Sequence, residues 1–446
     1  MDTVHTLLTG LGNIGRTFLE MLIADPERLP RRYGFRLKIV GVADSTGVAL
    51  DPSGLDLAAI VDLKRRRLGV RELPAFRSDL NPVTLAQTAE YDLVLEATPT
   101  NLRDGQPGLD IVRSALQRGK AAVLASKGPL VLAFQELARL SDWADDLSPH
   151  SQRPPLRFSG AVGGALPTIN FGRRDLAGAQ IERAELVVNG TTQVILEQMA
   201  AGADFATALA EAQRQGIVEP DPALDVDGWD AANKLVIFAN AVLNQPATLA
   251  DVQVRGIREV SADDLAAAWR AGGRISLVAS AVRQTDGTYT LSVAPTVLTA
   301  DHPLSRLAHG EMGFVIYSDS AGRSTISSLE DGPLGTCQAM LRDVIDIRHR
   351  LVSADDLAAA WRAGGRISLV ATAVRQTDGT YTLSVAPTVL TADHPLSRLA
   401  HGEMGFVIYS DSAGRSTVSS LEDGPLGTCQ AMLRDVIDIR HRLKRH

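Results

Sequence analysis

VHTLLTGLGNIGRTFLEMLI, residues 4–23, reads as strand, glycine turn and helix: the apolar run Val4–Leu8 enters Gly10-Leu11-Gly12-Asn13-Ile14-Gly15, and a helical pattern follows from Thr17. The first glycine permits a tight turn, the second admits a pyrophosphate against the backbone, and the third lets helix pack on strand, with the helix N-terminus facing the phosphates. A glycine turn in an unrelated α/β domain has the same local pattern. Here a second apolar run, Leu37–Val42, follows and ends at Ala43-Asp44, where a carboxylate can accept from the adenosine ribose hydroxyls. The expected fold is therefore α/β, a doubly wound Rossmann-type domain that binds a dinucleotide through Gly10, Gly12, Asn13, Ile14 and Gly15.

The choice between NAD and NADP stays open at this level. Asp44 favours a free 2′-hydroxyl, whereas Lys64-Arg65-Arg66-Arg67 can neutralise a 2′-phosphate or form a solvated helix face. Further strands, Tyr91–Ala97 and Ala121–Ala125, end in Thr98-Pro99-Thr100-Asn101 and Ser126-Lys127-Gly128-Pro129. Open α/β sheets bind ligands at such carboxyl ends, so Lys127 is a candidate to bind or protonate a carbonyl oxygen rather than point to solvent.

GIVEPDPALDVDGWDAANK, residues 216–234, sets Glu219, Asp221, Asp225, Asp227 and Asp230 just ahead of Lys234. Carboxylates so close together repel and need a cation. Trp229–Ala239 reads as helix, which puts Asp230 and Lys234 four apart on one face. That geometry can hold an ammonium-bearing substrate against a proton donor. The competing reading is an Asp–Lys helix pair worth about 0.2–0.5 kcal/mol behind a solvated acidic loop. A calcium loop does not fit, because the alternating ligands and closing Glu of an EF-hand are missing.

With these residues in view, the chain resembles the homoserine dehydrogenase family, through GLGNIG, EATPTN, ASKGPL, GAVGGALPTI, NGTTQVIL and EPDPALDVDGWDAANK in that order. The motifs span residues 1 to about 350. The resemblance implies NAD(P)H-dependent reduction of L-aspartate 4-semialdehyde to L-homoserine, toward threonine, methionine and isoleucine. It implies Lys234 as proton donor and Lys127 as the second lysine at the reacting carbonyl. Glu219, Asp225 and Asp230 would hold the substrate ammonium, with Thr191 and the Gly216 backbone lining the pocket. Thr98, Pro99, Ser126, Lys127, Lys64 and Gly332 would border the coenzyme. A monovalent cation, sodium or potassium, would sit on the backbone carbonyls of Ser159, Val162, Gly164 and Leu166. The chain departs from the family pattern at Ser159, usually Glu, at Gln193-Val194, usually Asn-Tyr, and at Ile217, usually Tyr.

Composition fits a cytoplasmic enzyme: 446 residues, 45% hydrophobic, 22% charged and a net charge of −7. No apolar stretch is long enough to span a membrane, no signal-like segment opens the chain, and the acidity argues against nucleic acid. Cys337 and Cys429 occupy equivalent positions of a repeat, so neither a disulfide framework nor a metal cluster is expected.

The dinucleotide-binding domain is expected over residues 1–150, with the polar, proline-rich Asp142–Pro155 as linker. An α+β catalytic and dimerisation domain with a mixed sheet follows over 156–351, from strands near Ile181–Val188, Ile275–Arg283, Thr288–Ala294 and Gly313–Ser318. In the family this sheet makes a homodimer, and a last helix, here Cys337–Ile347, returns to the first domain. Val260–Leu351 then recurs as Val352–Leu443, with only Ser280→Thr372 and Ile326→Val418 changed, leaving 352–446 as a duplicated tail. The first copy follows Arg258-Glu259 directly and is expected to dock, because looping it out to seat the second costs about 2–3 kcal/mol more. Two alternatives remain: another NAD(P)-dependent amino-acid dehydrogenase, or a non-catalytic cofactor-sensing assembly protein.

Overall fold

The structure is a computed structural model that describes residues 2–145, 151–215, 222–329 and 332–350, and in the tail the strands 366–375, 381–390, 403–410 and 414–421. Gly216 and Glu219 lie outside the described residues.

The first sheet is built from β1 (Asp2–Thr9), β2 (Phe35–Asp44), β3 (Gly47–Leu50), β4 (Leu93–Glu96), β5 (Ala121–Leu124) and β6 (Leu156–Arg157), in the order β3-β2-β1-β4-β5-β6. All pairs are parallel except β2–β3, so the strands are buried on both faces and read as near-continuous apolar runs. The strand order reverses direction between β1 and β4, which opens a crevice beyond their carboxyl ends. Helices Asn13–Ala24, Leu57–Arg65, Gly108–Gln117 and Gly128–Leu140 connect the strands.

Two expectations about the boundary are corrected. Leu156 and Arg157 pair with Ala122 and Val123, so the first sheet takes in the residues at which the second domain was expected to begin. Asp142 is not linker: it is buried and ion-paired at 2.8 Å to the equally buried Arg157, a contact that pins the connection.

The second sheet comprises β7 (Ile181–Val187), β8 (Val252–Val254), β9 (Arg274–Arg283), β10 (Tyr289–Leu298), β11 (Glu311–Ser318) and β12 (Gly322–Leu329), in the order β12-β11-β7-β9-β10-β8. It is mixed, as expected, because β8 joins β10 in parallel while the other pairs are antiparallel. β8 and β12 were not anticipated. β12, GRSTISSL, is an edge strand with hardly any buried side chain, so it lacks the apolar alternation that betrays an inner strand.

Helix Trp229–Ala241 lies between the two sheets and is buried almost all round, from Ala231 to Ala241. It packs on the second sheet and on helix Gly128–Leu140, where Gln135 Nε2 donates to Asn240 Oδ1 at 3.0 Å. The returning helix spans Leu334–Arg350, longer than expected. Cys337, Met340, Leu341, Val344 and Ile347 recur at helical spacing and enter the core on one face of the first sheet. Each aliphatic side chain so buried contributes about 1.5–3 kcal/mol. Asp346 anchors the other face through Arg157 at 2.8 Å and Arg174 at 2.5 Å.

Residues 1–347 form one compact unit and 348–446 a second. In the second unit, Arg366–Arg375 pairs with Tyr381–Leu390 and Glu403–Ser410 with Gly414–Leu421, in the registers of β9–β10 and β11–β12. There the hairpins are separate two-stranded sheets, whereas in the first unit β7 joins them.

Candidate active site

Three elements converge on Asp230. Gly228, with φ 87°, starts helix Trp229–Ala241, which carries Asp230 and Lys234 one turn apart. Lys234 Nζ lies 2.7 Å from Asp230 Oδ2 and also donates to the Val188 carbonyl at the end of β7. Lys127, at the start of helix Gly128–Leu140, reaches Asp230 Oδ1 at 3.3 Å. Asn189 supplies the last donor: its Nδ2 bonds Asp230 Oδ2 at 2.9 Å and Asp225 Oδ1 at 2.6 Å, while its Oδ1 caps helix Gly190–Ala200 at the Thr192 amide.

This environment splits the two carboxylates. Burial alone would raise Asp230, but the ammonium groups of Lys234 and Lys127 and the bonds from Lys234 and Asn189 outweigh it, holding the acid far below its usual range. Asp225 goes the other way. Burial raises it, the Asp230 charge adds to the rise, and bonds from Asn189 and Thr191 only partly oppose. The expected Lys127, Thr191, Asp225, Asp230 and Lys234 are thus brought together. Asn189 was missed; its one signal is its place as the cap ahead of Gly-Thr-Thr.

The glycine turn meets the neighbouring strand tip. Gly10, at φ 91°, has no room for a side chain, since a Cβ there would stand 2.2 Å from the Ala97 carbonyl. A Cβ on Gly12 would meet nothing within 4 Å, so its backbone faces open space at the start of helix Asn13–Ala24, a fit for a pyrophosphate. Thr98 and exposed Pro99 follow β4, and Ser126 follows β5. Cys337 Sγ lies 3.2 Å from the Ile14 carbonyl, and Gly332, at φ 66°, stands just ahead of helix Leu334–Arg350.

Asp44 ends β2 with its carboxylate saturated. Thr46 N and Oγ1 donate to Oδ1 at 2.7 and 2.6 Å, and Lys64 Nζ and Val70 N to Oδ2 at 2.7 and 3.2 Å. Burial would raise this acid, but the Lys64 and Thr46 donors pull it below its usual range. In the basic run, Lys64 therefore serves Asp44, while Arg65 pairs with Glu20 at 2.8 Å and Arg66 with Asp62 at 3.4 Å.

In the turn from Ser159 to Leu166, Gly163 and Gly164 are both left-handed, at φ 84° and 58°. Thr168 Oγ1 is buried without a hydrogen-bond partner and would stand 3.2 Å from a Cβ on Gly163. The acid that the resemblance places at residue 159 returns from elsewhere: Ser159 N and Oγ donate to the buried Asp343 at 2.7 and 2.6 Å. Burial pushes Asp343 up to about 6. Among the described residues no group of three or more His, Cys, Asp or Glu side chains could hold a metal ion, and no helix is long and apolar enough to cross a membrane.

The family model described as homoserine dehydrogenase matches residues 167–345 and again 348–437, the second match falling on the duplicated tail. The chain is 33% identical over 350 residues to the NAD(+)-dependent homoserine dehydrogenase of Pseudomonas canavaninivorans, covering 78% of this chain and 97% of that protein. It is 32% identical to the homoserine dehydrogenase of Methanocaldococcus jannaschii, over 76% of this chain and 97% of that one. The solved homoserine dehydrogenase of Thermoplasma acidophilum superposes with a TM-score of 0.65 at 25% identity, covering 78% of this chain and 99% of that one. A dinucleotide turn, two lysines sharing one partly buried aspartate and matches that span 97% of the relatives' length leave one assignment: the chain belongs to the homoserine dehydrogenase family.

Proposed function

We propose that this chain interconverts L-aspartate 4-semialdehyde and L-homoserine with NAD(P), using Lys234 as the proton donor. The observation that carries the reading is Asp230, partly buried and shared by Lys127 and Lys234. The coenzyme, when bound on Gly10, Gly12, Asn13, Ile14 and Gly15, supplies the hydride. Negative charge then develops on the substrate oxygen, and an ammonium held in place both stabilises that charge and delivers the proton. Asp230 fixes both lysines and, being ionised, offsets their mutual repulsion. Its oxygens are spent on those lysines and Asn189, so Asp225, with Thr191, is the better placed carboxylate for the substrate ammonium. Glu219 and the Gly216 backbone complete that pocket in the family pattern.

NAD is the preferred coenzyme in this reading. Three of the four bases that could meet a 2′-phosphate, Lys64, Arg65 and Arg66, are already matched by Asp44, Glu20 and Asp62. The orphan Thr168 hydroxyl and the left-handed pair Gly163-Gly164 fit a monovalent cation on the carbonyls of Ser159, Val162, Gly164 and Leu166, where it would brace the turn against Asp343. A homodimer through the second sheet belongs to this reading through the family pattern that the chain resembles.

Homoserine oxidation, followed with NAD and NADP in separate assays, tests the proposal. Turnover with NAD at least about tenfold higher in kcat/KM, or about 1.4 kcal/mol, is expected. No turnover with either coenzyme sinks the reaction; a preference for NADP sinks only the coenzyme assignment.

A further inference from the structure

Glu96 is a buried carboxyl for which the reaction above has no use. It closes β4 with no exposed surface, in a chain segment whose backbone is already fixed: Ala97 N donates to the Thr9 carbonyl and Ala125 N to the Glu96 carbonyl, both at 2.8 Å. Its side chain turns back over the carboxyl ends of β4 and β5. Oε1 accepts from Thr98 N at 2.8 Å and from the Thr98 hydroxyl, and Oε2 accepts from the Ser126 hydroxyl. Helix Gly108–Gln117 begins directly against it, since a Cβ on Gly108 would come within 3.0 Å of Oε1.

An ordinary buried acid is matched by a cation, because an unpaired charge in the interior is expensive. Among the described residues, the hydrogen-bond donors to Glu96 are the hydroxyls and amides of Thr98 and Ser126. Such a site suits a carboxyl that works as a geometric tie. Burial raises this acid above its usual range, and the bonds from Ser126 and Thr98 oppose only in part. What the tie joins is informative. Thr98 abuts Gly10 of the dinucleotide turn, where a Cβ would stand 2.6 Å from the Thr98 amide. Ser126 is bonded directly to Lys127, whose Nζ reaches Asp230.

We propose that Glu96 is a positioning residue that locks the β4 and β5 tips together and so sets the reach of Lys127 toward Asp230. This rests on the assignment of Lys127 to the reacting carbonyl. A tie of this kind acts through shape and not through charge, so an uncharged amide can replace it. A Gln oxygen in the place of Oε1 keeps both the Thr98 amide and the Thr98 hydroxyl, and the Gln amide in the place of Oε2 donates to the Ser126 hydroxyl.

The test uses the full chain with Glu96→Gln, Glu96→Ala and Ser126→Ala, reading kcat, homoserine KM, coenzyme Kd by fluorescence, and Tm. Glu96→Gln should keep kcat within about threefold of the parent, while Glu96→Ala should lose at least about thirtyfold in kcat with smaller changes in KM and Kd. Ser126→Ala, which cuts one arm and leaves the buried carboxyl, should lose about fivefold in kcat. The proposal is overturned by Glu96→Ala retaining parental kcat, by Glu96→Gln falling as far as Glu96→Ala, or by a loss confined to coenzyme binding. If Glu96→Ala does not fold, an unchanged kcat in Ser126→Ala overturns it instead. An inactive parent would count against the reaction, whereas an active parent with indifferent Glu96 variants counts against the tie alone.

Discussion

Lys127 and Asp230 meet at 3.3 Å across the seam between the two sheets, one from the tip of the dinucleotide domain and the other from the buried helix of the second. The reacting centre is therefore divided between domains. Any change that shifts helix Gly128–Leu140 against helix Trp229–Ala241 should register in turnover before it registers in coenzyme binding.

Lys234→Ala should lower kcat far more than it raises KM, because a proton donor matters most in the transition state. The circular dichroism spectrum should be unchanged. Turnover surviving within about tenfold, a loss of only about 1.4 kcal/mol, would remove Lys234 from that role.

Asp225→Asn and Asp230→Asn should separate. Asp225→Asn should raise homoserine KM with a modest change in kcat, since it weakens a contact to the substrate ammonium. Asp230→Asn should depress kcat as well, because both lysines lose the anion that holds them. Neither should alter coenzyme affinity by more than about threefold in a fluorescence titration. Equal losses of coenzyme affinity in both would contradict the division of labour.

The glycine turn and the Asp230–Lys234 pair were legible because each is written locally, in consecutive glycines or in one helical turn. The rest of the site is not local. Asn189 meets Asp230 from 41 residues away, Ser126 meets Glu96 from 30, and Ser159 meets Asp343 from 184. No periodicity signals such pairings. Asp44 shows the opposite limit: its place at the end of β2 was readable, but the four donors that saturate it come from a turn, a helix end and a later loop. The edge strand Gly322–Leu329 escaped for want of apolar residues, and Leu156–Arg157 because a two-residue strand carries no pattern.

Asp343 predicts a pH dependence of stability. Its acid sits at about 6 in the folded chain and near 3.9 when unfolded, so between those values the unfolded state sheds its proton first. The contribution of this group to stability therefore falls as pH rises from about 4 to about 6 and is flat beyond. Asn at Asp343 and at its copy, Asp435, should remove that fall, raising stability at pH 8 relative to pH 4 by up to about 3 kcal/mol compared with the parent. Denaturant titrations at both pH values measure it. A pair of variants with the parental pH profile would show that Asp343 ionises without cost.

Truncation after Leu351 should yield a soluble enzyme at least as active as the full chain, because the first copy supplies β9 to β12 and the returning helix. Joining Arg258-Glu259 directly to Val352 should be equally active, since only Thr372 and Val418 then differ. Activity assays and size-exclusion chromatography of both shortened proteins decide the point. An insoluble Leu351 truncation beside an active full chain would give the second copy a structural task.

The duplication begins at Val260, downstream of Ile181–Val187, the strand that joins the two hairpins of the second sheet. Each chain therefore carries two plugs and one socket, a fixed surplus that no concentration of ligand or coenzyme can titrate away. A free socket, by contrast, exists only when a chain is cut short before its first plug. Such a fragment mixed with the intact protein would meet a second copy of the sequence it lacks, so this protein should be able to rescue its own truncated forms in trans.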